Sequence, residues 1–356
     1  MTSTPTTPRF NEAALLRFAT DSLVAAGLPP ERADDVATVL LEADLLGHHT
    51  HGLALLPWYL DAAASGAMQL AGEPDVVVDR GACVTWNGKR LPGAWLASRA
   101  LELAMERART YGTVTIVIRE CGHVGALATY MERAARAGLV AIMASSTPSV
   151  AGVAPFGSVQ AVMTPNPIAA GLPTEGDPIL LDISASITTL NKARQLARDG
   201  LKFPAHWVLD KDGNTSADPD VVVSQGGSLL PVGGLDHGHK GYSLAILVEA
   251  LTQGLSGFGR ADGPKGTSVS LFLQVIDPEA FGGHAGFTRQ TQFLAQTCRA
   301  AQPIPGGGPV RVPGDRAAQE KRAAKALGVP LDMAVVRSIE PWASRLGTQM
   351  PAPLVM

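Results

Sequence analysis

The amino-acid sequence predicts an α/β fold, because apolar runs typical of strands alternate with patterns typical of helices. The strand-like runs are short, rich in valine and isoleucine, and bounded by glycine or proline, as buried strands usually are. They lie at residues 74–78, 113–119, 139–144, 179–183 and 268–276. Apolar residues also recur at helical spacing at residues 94–110, 124–137, 187–198 and 242–256.

Both ends of the chain are predicted to be helical. Amphipathic patterns cover residues 11–26, 31–46, 315–327 and 332–346. Gly47 and Gly328 follow two of these patterns, and glycine commonly ends a helix. No strand signal separates the last helices from the end of the chain. We therefore predict a helical domain built from residues 1–75 and 285–356, and an α/β core over residues 76–284.

Composition excludes several classes of protein. The chain has 356 residues, a net charge of -3 and no sustained basic run, so neither nucleic acid nor an anionic membrane is an expected partner. Cys83, Cys121 and Cys298 are too far apart for a disulfide framework or a CxxC metal site, which favours a reducing compartment. Residues 1–10 lack the pattern of a signal peptide, and no apolar run reaches the ~18 residues of a membrane span. We expect a cytoplasmic protein.

The common nucleotide-binding and hydrolase motifs are absent. No GxGxxG follows a strand, and Gly257-Phe258-Gly259 follows a helix, where a turn is expected. The sequence also has no Walker loop, no GxSxG and no HExxH. Generic motifs alone therefore indicate only an α/β enzyme.

The most informative segment carries three histidines, His48, His49 and His51, at a predicted helix end. Histidine titrates near neutrality, so one interpretation is a proton donor oriented by the Thr50 hydroxyl and by a carboxylate from elsewhere. A metal cluster would need further ligands from distant segments. Histidine also stabilises the negative end of a helix, so capping is a third interpretation.

This segment and others further along the chain resemble motifs of the type-2 malate/L-lactate dehydrogenase family. They are ADLLGHHTHGLALLPWYL at residues 43–60, GHVG at 122–125, APFG at 154–157, Asn166-Pro167, LDIS at 181–184, HKGY at 239–242 with the helix after it, and Val312-Pro313-Gly314. They occur in the family's order over about residues 10–345. The family also contains ureidoglycolate dehydrogenase, 2,3-diketo-L-gulonate reductase and Δ1-piperideine-2-carboxylate reductase.

The resemblance implies the activity, the cofactor and the assembly. It implies a reductase of 2-oxo acids, related ketones or cyclic imines that uses NADH or NADPH. It also implies a non-classical nucleotide-binding core without GxGxxG, no metal, and a homodimer. A divergent, redox-inactive binding or scaffold protein on the same fold is the alternative.

The resemblance also assigns the catalytic residues. His51 would donate the proton, with Thr50 in the position of the family's serine and Asp182 completing a relay. His123 matches a second histidine with acid/base work and substrate contact. We prefer His51 as the donor because its neighbouring hydroxyl is present.

The cofactor residues are carried over from the same motifs. The run Asp182, Ile183, Ser184, Ala185 and Ser186 would lie against the nicotinamide nucleotide and offer backbone amides and small hydroxyls. In addition, His239 and Lys240, at the mouth of the helix 242–256, would meet the pyrophosphate, where a cation beside exposed helix N–H groups attracts phosphate. Gly314 and Asp315 complete the predicted cofactor set.

One departure from the family concerns the substrate. The family's carboxylate-binding arginine is Leu55 here, whereas Tyr59 keeps the expected aromatic residue. If Leu55 contacts the substrate, we expect weak activity toward pyruvate and oxaloacetate and better turnover of bulkier substrates. Alternatively, another residue such as Arg90 or Arg119 supplies the cation, and Leu55 only packs against its neighbours.

Overall fold

A seven-stranded mixed sheet forms the centre of the structure, which is a computed structural model describing residues 7–266 and 268–355. The strands of the described residues are β1 (Arg9–Phe10), β2 (Asp75–Asp79), β3 (Cys83–Asn87), β4 (Thr113–Cys121), β5 (Val140–Ser146), β6 (Ile168–Leu172), β7 (Ile179–Ile183), β8 (Val208–Leu209), β9 (Thr215–Ser216), β10 (Ser228–Leu229), β11 (Val269–Ile276) and β12 (Val329–Pro330). The helices are α1 (Glu12–Ala25), α2 (Pro30–Leu45), α3 (Leu56–Ala64), α4 (Gly93–Tyr111), α5 (Ala128–Arg136), α6 (Leu190–Arg198), α7 (Asp220–Val223), α8 (Gly234–Glu249), α9 (His284–Ala300), α10 (Asp315–Leu327) and α11 (Met333–Leu346).

The order of strands in the central sheet is β2-β3-β4-β11-β5-β6-β7. Only the pair β3 and β4 is parallel, and the other neighbours are antiparallel. The last strand along the chain, β11, lies in the middle, between β4 and β5. The predicted α/β class is therefore confirmed, with a mixed sheet.

The terminal helices and the sheet share one apolar core. Leu15 of α1 and Leu40 of α2 belong to the same buried cluster as Ile116 and Leu271 of the sheet and Val336 of α11. The strands β1 and β12 pair antiparallel and hold the two ends of the chain together. The division into two domains stays a prediction, because this core crosses the predicted boundary.

A second, smaller core lies under α6 and α7. It contains Val153, Ala193, Leu196, Phe203 and Leu229, all buried, beside the small sheet β10-β8-β9. Sequence patterns predicted α6 within residues 187–198 but did not separate this unit, whose strands have two residues each.

Several sequence-based expectations need correction. The run at 74–78 was expected to be buried, but β2 is an edge strand, and Val76 is 59% exposed. The helix predicted at 242–256 begins at Gly234, because Gly234, Gly238 and Gly241 obscured its first turns. It contains a π-helical turn at Ala250–Gly254 and reaches residue 256, as predicted. The strand β12 separates the two C-terminal helices. Its two residues are too few to give a strand signal.

The patterns also missed two strands of the central sheet and three helices. These are β3, β6, α3, α7 and α9. No helix within residues 7–266 and 268–355 is long and apolar enough to cross a membrane.

Candidate active site

A buried carboxylate at the end of α2 shapes the histidine segment. Asp44 accepts a hydrogen bond from the backbone N–H of Leu53 at 2.7 Å, and the His49 ring lies 3.2 Å from its other oxygen. A Cβ atom at Gly52 would lie 2.3 Å from this carboxylate, so only glycine fits there. Asp44 therefore folds the chain back and holds residues 49–51 in a 3₁₀ turn.

The three histidines of this segment have different surroundings. His49 pairs with Asp44, His51 lies beside Thr50, and His48 lies close enough to Asp182 to act on its pKa. In the part of the chain that the structure describes, no group of three His, Cys, Asp or Glu side chains is arranged to hold a metal ion. His51 beside the Thr50 hydroxyl is the arrangement that the acid/base interpretation expects.

His51 and His123 form a stacked pair. Their ring centroids are 6.0 Å apart and the ring planes differ by 18°. The Thr50 hydroxyl lies 3.0 Å from Nδ1 of His51. Burial lowers the pKa of His51 to about 4, with a contribution from His48, and burial lowers the pKa of His123 to about 3, with a contribution from His51. Both rings are therefore neutral at physiological pH.

Tyr59 and Gly125 determine how His123 is held. The Tyr59 hydroxyl donates to the carbonyl oxygen of His123 at 2.8 Å, and the backbone N–H of Gly125 donates to His123 Nδ1 at 3.1 Å. Because Nδ1 accepts a hydrogen bond, the neutral ring carries its proton on Nε2. Tyr59 is fully buried, so it positions His123 and does not form the substrate surface predicted for it.

Both histidines line a cavity of about 440 Å³. Its polar lining residues include His48, Thr50, His51, His123, Ser145, Ser146, Thr147, Thr164, Asp182, Ser184, Thr189, Asn191 and Arg194. The four predicted catalytic residues, Thr50, His51, His123 and Asp182, thus lie around one cavity, although they come from three separate segments.

Asp182, near the end of β7, is bonded to the start of a helix. Its Oδ2 accepts a hydrogen bond from the backbone N–H of Ala128, the first residue of α5, at 2.9 Å. Burial raises the pKa of its carboxyl, while His48 and the amides of Ala128 and Leu127 act in the opposite direction. The relay through Thr50 stays a prediction, since the hydrogen bond found here joins Asp182 to α5.

Only part of the predicted cofactor run reaches the cavity. Asp182 and Ser184 line it, and Ile183 is 52% exposed. The N–H of Ala185 already donates to Pro165, and the hydroxyl of Ser186 donates to the carbonyl of Thr188. The Ser184 hydroxyl donates to the carbonyl of Ser186 in the same way. The expected free amide is therefore not found at Ala185, and the expected free hydroxyls are not found at Ser184 and Ser186.

His239 and Lys240 lie inside α8, not before it, and both are exposed. The helix is broken at His237, so the regular part begins just before them. A Cβ atom at Gly241 would lie 2.7 Å from the carbonyl oxygen of Ala185. This glycine lets α8 approach the cofactor run closely, and the two predicted phosphate ligands therefore lie beside it.

Gly314 and Asp315 have structural partners. Gly314 has a φ of 98°, and a Cβ atom there would lie 2.8 Å from the backbone nitrogen of Leu180. Asp315 pairs with Arg299 and accepts a hydrogen bond from the N–H of Val312. Both carboxylate oxygens are thus engaged at the start of α10, and neither residue lines the cavity.

Leu55 packs against the main core and is not among the residues that line the cavity in the described chain. The premise that it contacts the substrate is therefore not supported. Arg90 lines a different cavity of about 390 Å³, and Arg119 lies 3.5 Å from the carbonyl oxygen of Ser256. Neither arginine replaces the family's cation in this cavity.

Sequence reasoning missed several residues of the site. Trp58 contacts His123 edge-on, with ring centroids 5.6 Å apart, and Arg194 of α6 lines the cavity. His48 was noted only as part of the histidine cluster. Arg194 lies on a helix that was correctly predicted, but helical spacing does not say which polar residue of a helix faces a cavity.

Comparison with known proteins identifies the family. The family model for malate/L-lactate dehydrogenase matches residues 10–340. L-lactate dehydrogenase of Cupriavidus necator is 32% identical over 94% of this chain and 97% of its own. The Δ1-pyrroline-2-carboxylate/Δ1-piperideine-2-carboxylate reductase of Pseudomonas syringae pv. tomato is 33% identical over 89% of this chain and 91% of its own.

Solved structures agree with this result. Malate dehydrogenase from Pyrococcus horikoshii superposes with a TM-score of 0.87 at 28% identity, over 98% of both chains. The protein is therefore a dehydrogenase. It belongs to the malate/L-lactate dehydrogenase family.

Proposed function

We propose that this dehydrogenase transfers hydride between NAD(H) or NADP(H) and a 2-oxo acid or cyclic imine, with His51 exchanging the proton. The observation that carries the proposal is the stacked pair of neutral histidines, His51 and His123, on the wall of a cavity that Asp182 and Ser184 also line. The names of the relatives fit both kinds of substrate.

The hydrogen bonds give the two histidines different roles. His123 has its proton on Nε2 and is held by Tyr59 and Gly125, so it serves as a fixed hydrogen-bond donor to a substrate oxygen or nitrogen. The Thr50 hydroxyl engages Nδ1 of His51 and leaves Nε2 to exchange a proton with the substrate. In hydroxy-acid oxidation the neutral ring accepts the proton, and in reduction the protonated ring returns it.

The cofactor is proposed to lie along Asp182 and Ser184 toward the regular part of α8. When bound, a reduced nicotinamide supplies the hydride. Lys240 and His239 are exposed there, at a helix start that already favours phosphate, and Gly241 removes the side chain that would keep α8 away. The residues present therefore fit a dinucleotide without GxGxxG.

The experiment that tests this function is turnover by His51→Gln. We expect normal folding and cofactor affinity, followed by a fall in turnover on the order of 10²–10⁴, the usual scale for losing a general acid or base. Cofactor binding is measured by nicotinamide fluorescence with NADH and NADPH, and turnover with a panel of 2-oxo acids and cyclic imines. His206→Gln is the matched control, because His206 is exposed and bonded to Thr215 outside the cavity.

The outcomes separate the roles. A severe loss of turnover in His123→Gln, together with a mild loss of turnover in His51→Gln, would assign the proton exchange to His123. Normal turnover in both variants would place the reaction outside this cavity.

We further infer a homodimer in the cytoplasm. The dimer would cover apolar side chains of α8 that are exposed in the single chain, namely Leu235, Ile246 and Leu247. The cytoplasmic location rests on the small number and wide spacing of the cysteines, Cys83, Cys121 and Cys298, which suit a reducing compartment.

A further inference from the structure

The cavity is lined by one arginine, which comes from α6. Ala193 and Leu196 of this helix are buried in the smaller core, and this packing fixes the rotation of α6. Asn191 and Arg194 consequently line the cavity, three residues apart and therefore on the same face of the helix. Among the described residues, no other arginine or lysine lines it.

Most N–H donors of the Arg194 guanidinium have no hydrogen-bond partner among the described residues. Its only hydrogen bond among the described residues runs from Nη1 to Oδ1 of Asn191, at 3.0 Å. No carboxylate pairs with it in that part of the chain, whereas Arg198 and Arg260, for example, have acidic partners. A guanidinium offers five N–H donors in a planar fork. The contact with Asn191 orients the fork and leaves most of it available.

The substrate classes proposed above both carry a carboxylate. Apart from Arg194, the described residues that line the cavity provide no positive charge to bind it. His51 and His123 are neutral, and Asp182 adds an acidic group. An anionic substrate therefore needs a cation, and Leu55 does not provide it. We propose that Arg194 binds the substrate's carboxylate and takes the place of the family's arginine, a proposal that rests on the proposed function.

This assignment changes the expected substrate range. Weak activity toward pyruvate and oxaloacetate was expected only if an apolar Leu55 faced the carboxylate. With Arg194 in that role, a planar carboxylate finds a matching two-pronged donor, and small 2-oxo acids are accepted.

The test compares a 2-oxo acid with its methyl ester, for example pyruvate with methyl pyruvate. In Arg194→Gln we expect the KM for the acid to rise by about 10- to 100-fold, the scale of a lost charged hydrogen bond, with the KM for the ester and the Kd for NADH unchanged. Arg194→Lys keeps the charge without the fork and should recover part of the loss.

Arg198→Gln is the matched control. It removes a cation one turn further along α6. Arg194 lines both the active-site cavity and a neighbouring cavity of about 630 Å³, whereas Arg198 lines only the neighbouring one, so Arg198→Gln should leave the KM for the acid unchanged. An equal rise in KM for acid and ester, or an equal effect of Arg198→Gln, would overturn the proposal. A weaker Kd for NADH with an unchanged KM for the acid would also overturn it and assign Arg194 to a cofactor phosphate.

Failure of this proposal and failure of the proposed function give different experimental results. If the unmodified protein turns over no substrate, the proposed function fails, and calorimetry with pyruvate alone still tests Arg194. Binding that is lost in Arg194→Gln and kept in Arg198→Gln supports the carboxylate contact. Equal binding in both variants contradicts it.

Discussion

At the scale of single residues, His51 and His123 are chemically similar but differently held. Two hydrogen bonds hold His123, one from the Tyr59 hydroxyl to its carbonyl oxygen and one from the N–H of Gly125 to its Nδ1. The ring of His51, by contrast, has only the Thr50 hydroxyl on its Nδ1. Because both rings are neutral, the two directions of the proposed reaction are affected differently. Hydroxy-acid oxidation needs the neutral form of the proton-exchanging ring, and reduction needs its protonated form.

The pH dependence of the two directions should therefore differ. The pKa of His51 is lowered to about 4, so the neutral base is fully present above that pH and is lost below it. We expect kcat/KM for oxidation to be flat above about pH 5 and to fall in acid. For reduction it should decline as pH rises above about 4. Rates in both directions, measured across the pH range at constant ionic strength, check this, and a reductive rate that increases with pH would contradict it.

Residue identities were predictable where a motif carried them. His51, Thr50, His123 and Asp182 were identified from local sequence, and they do surround one cavity. Arg194 could not be identified, because its role depends on how α6 is rotated by its packing, and this is a tertiary property. The burial of Tyr59 could not be predicted either, since an aromatic residue fits a core and a pocket equally well.

At the scale of elements, the turn between α2 and α3 depends on Gly52. Its φ is negative, so the need for glycine here comes from lack of space and not from the backbone conformation. Gly52 is required because the Asp44 carboxylate fills the space where a side chain would begin. Because Asp44 also bonds Leu53, this one contact links the end of α2 to the position of His51.

Gly52→Ala should therefore impair the site more than it impairs the fold. The added Cβ displaces the Asp44 carboxylate, and we expect turnover to fall by at least about tenfold with a loss of about 1–3 kcal/mol in the free energy of unfolding. Urea unfolding and steady-state kinetics on the same preparation measure the two effects. Gly176→Ala is the control, because nothing lies within 4 Å of a Cβ atom there. Full activity in Gly52→Ala would show that the turn tolerates the displacement.

Element boundaries were predictable where glycine or proline acts as a stop signal. The ends of α1 and α2 agree with the sequence pattern within a few residues. The start of α8 does not, because Gly233, Gly234, Gly238 and Gly241 normally predict a turn. Gly238 allows close packing against Phe156 and Gly241 allows it against Ala185, so packing overrides the local preference there.

At the scale of the whole molecule, one lysine joins three helices. Lys321 of α10 forms ion pairs with Glu42 of α2 and Glu132 of α5. Burial acts to raise the pKa of Glu132, but the hydrogen bonds from Lys321 and Arg136 outweigh it and hold the pKa below its ordinary value. The C-terminal helices are thereby tied to those that carry the site.

Lys321→Met should destabilise the protein by about 1–3 kcal/mol, between the values for exposed and buried ion pairs. Burial raises the pKa of Glu42, so its pair with Lys321 is lost first as pH falls. Because the pKa of Glu132 is lowered, that pair is fully present above the ordinary glutamate value of 4.5 and is lost as pH falls through the lowered pKa. The difference in the free energy of unfolding between Lys321→Met and the unmodified protein should thus be large at neutral pH and small in acid. Chemical unfolding at both pH values measures it, with Lys325→Met on the same helix as the control. A pH-independent difference would exclude the ion pairs as its cause.

The central position of β11 has a consequence for biosynthesis. While the nascent chain is shorter than about the first 270 residues, β4 and β5 each expose an unpaired edge, because the strand that joins them has not yet been made. Open edges of this kind promote association between chains, and pairing across such sequence distances is slow. Most of this chain therefore leaves the ribosome before its sheet can close, and recovery of the folded enzyme should benefit from chaperones that shield the two edges.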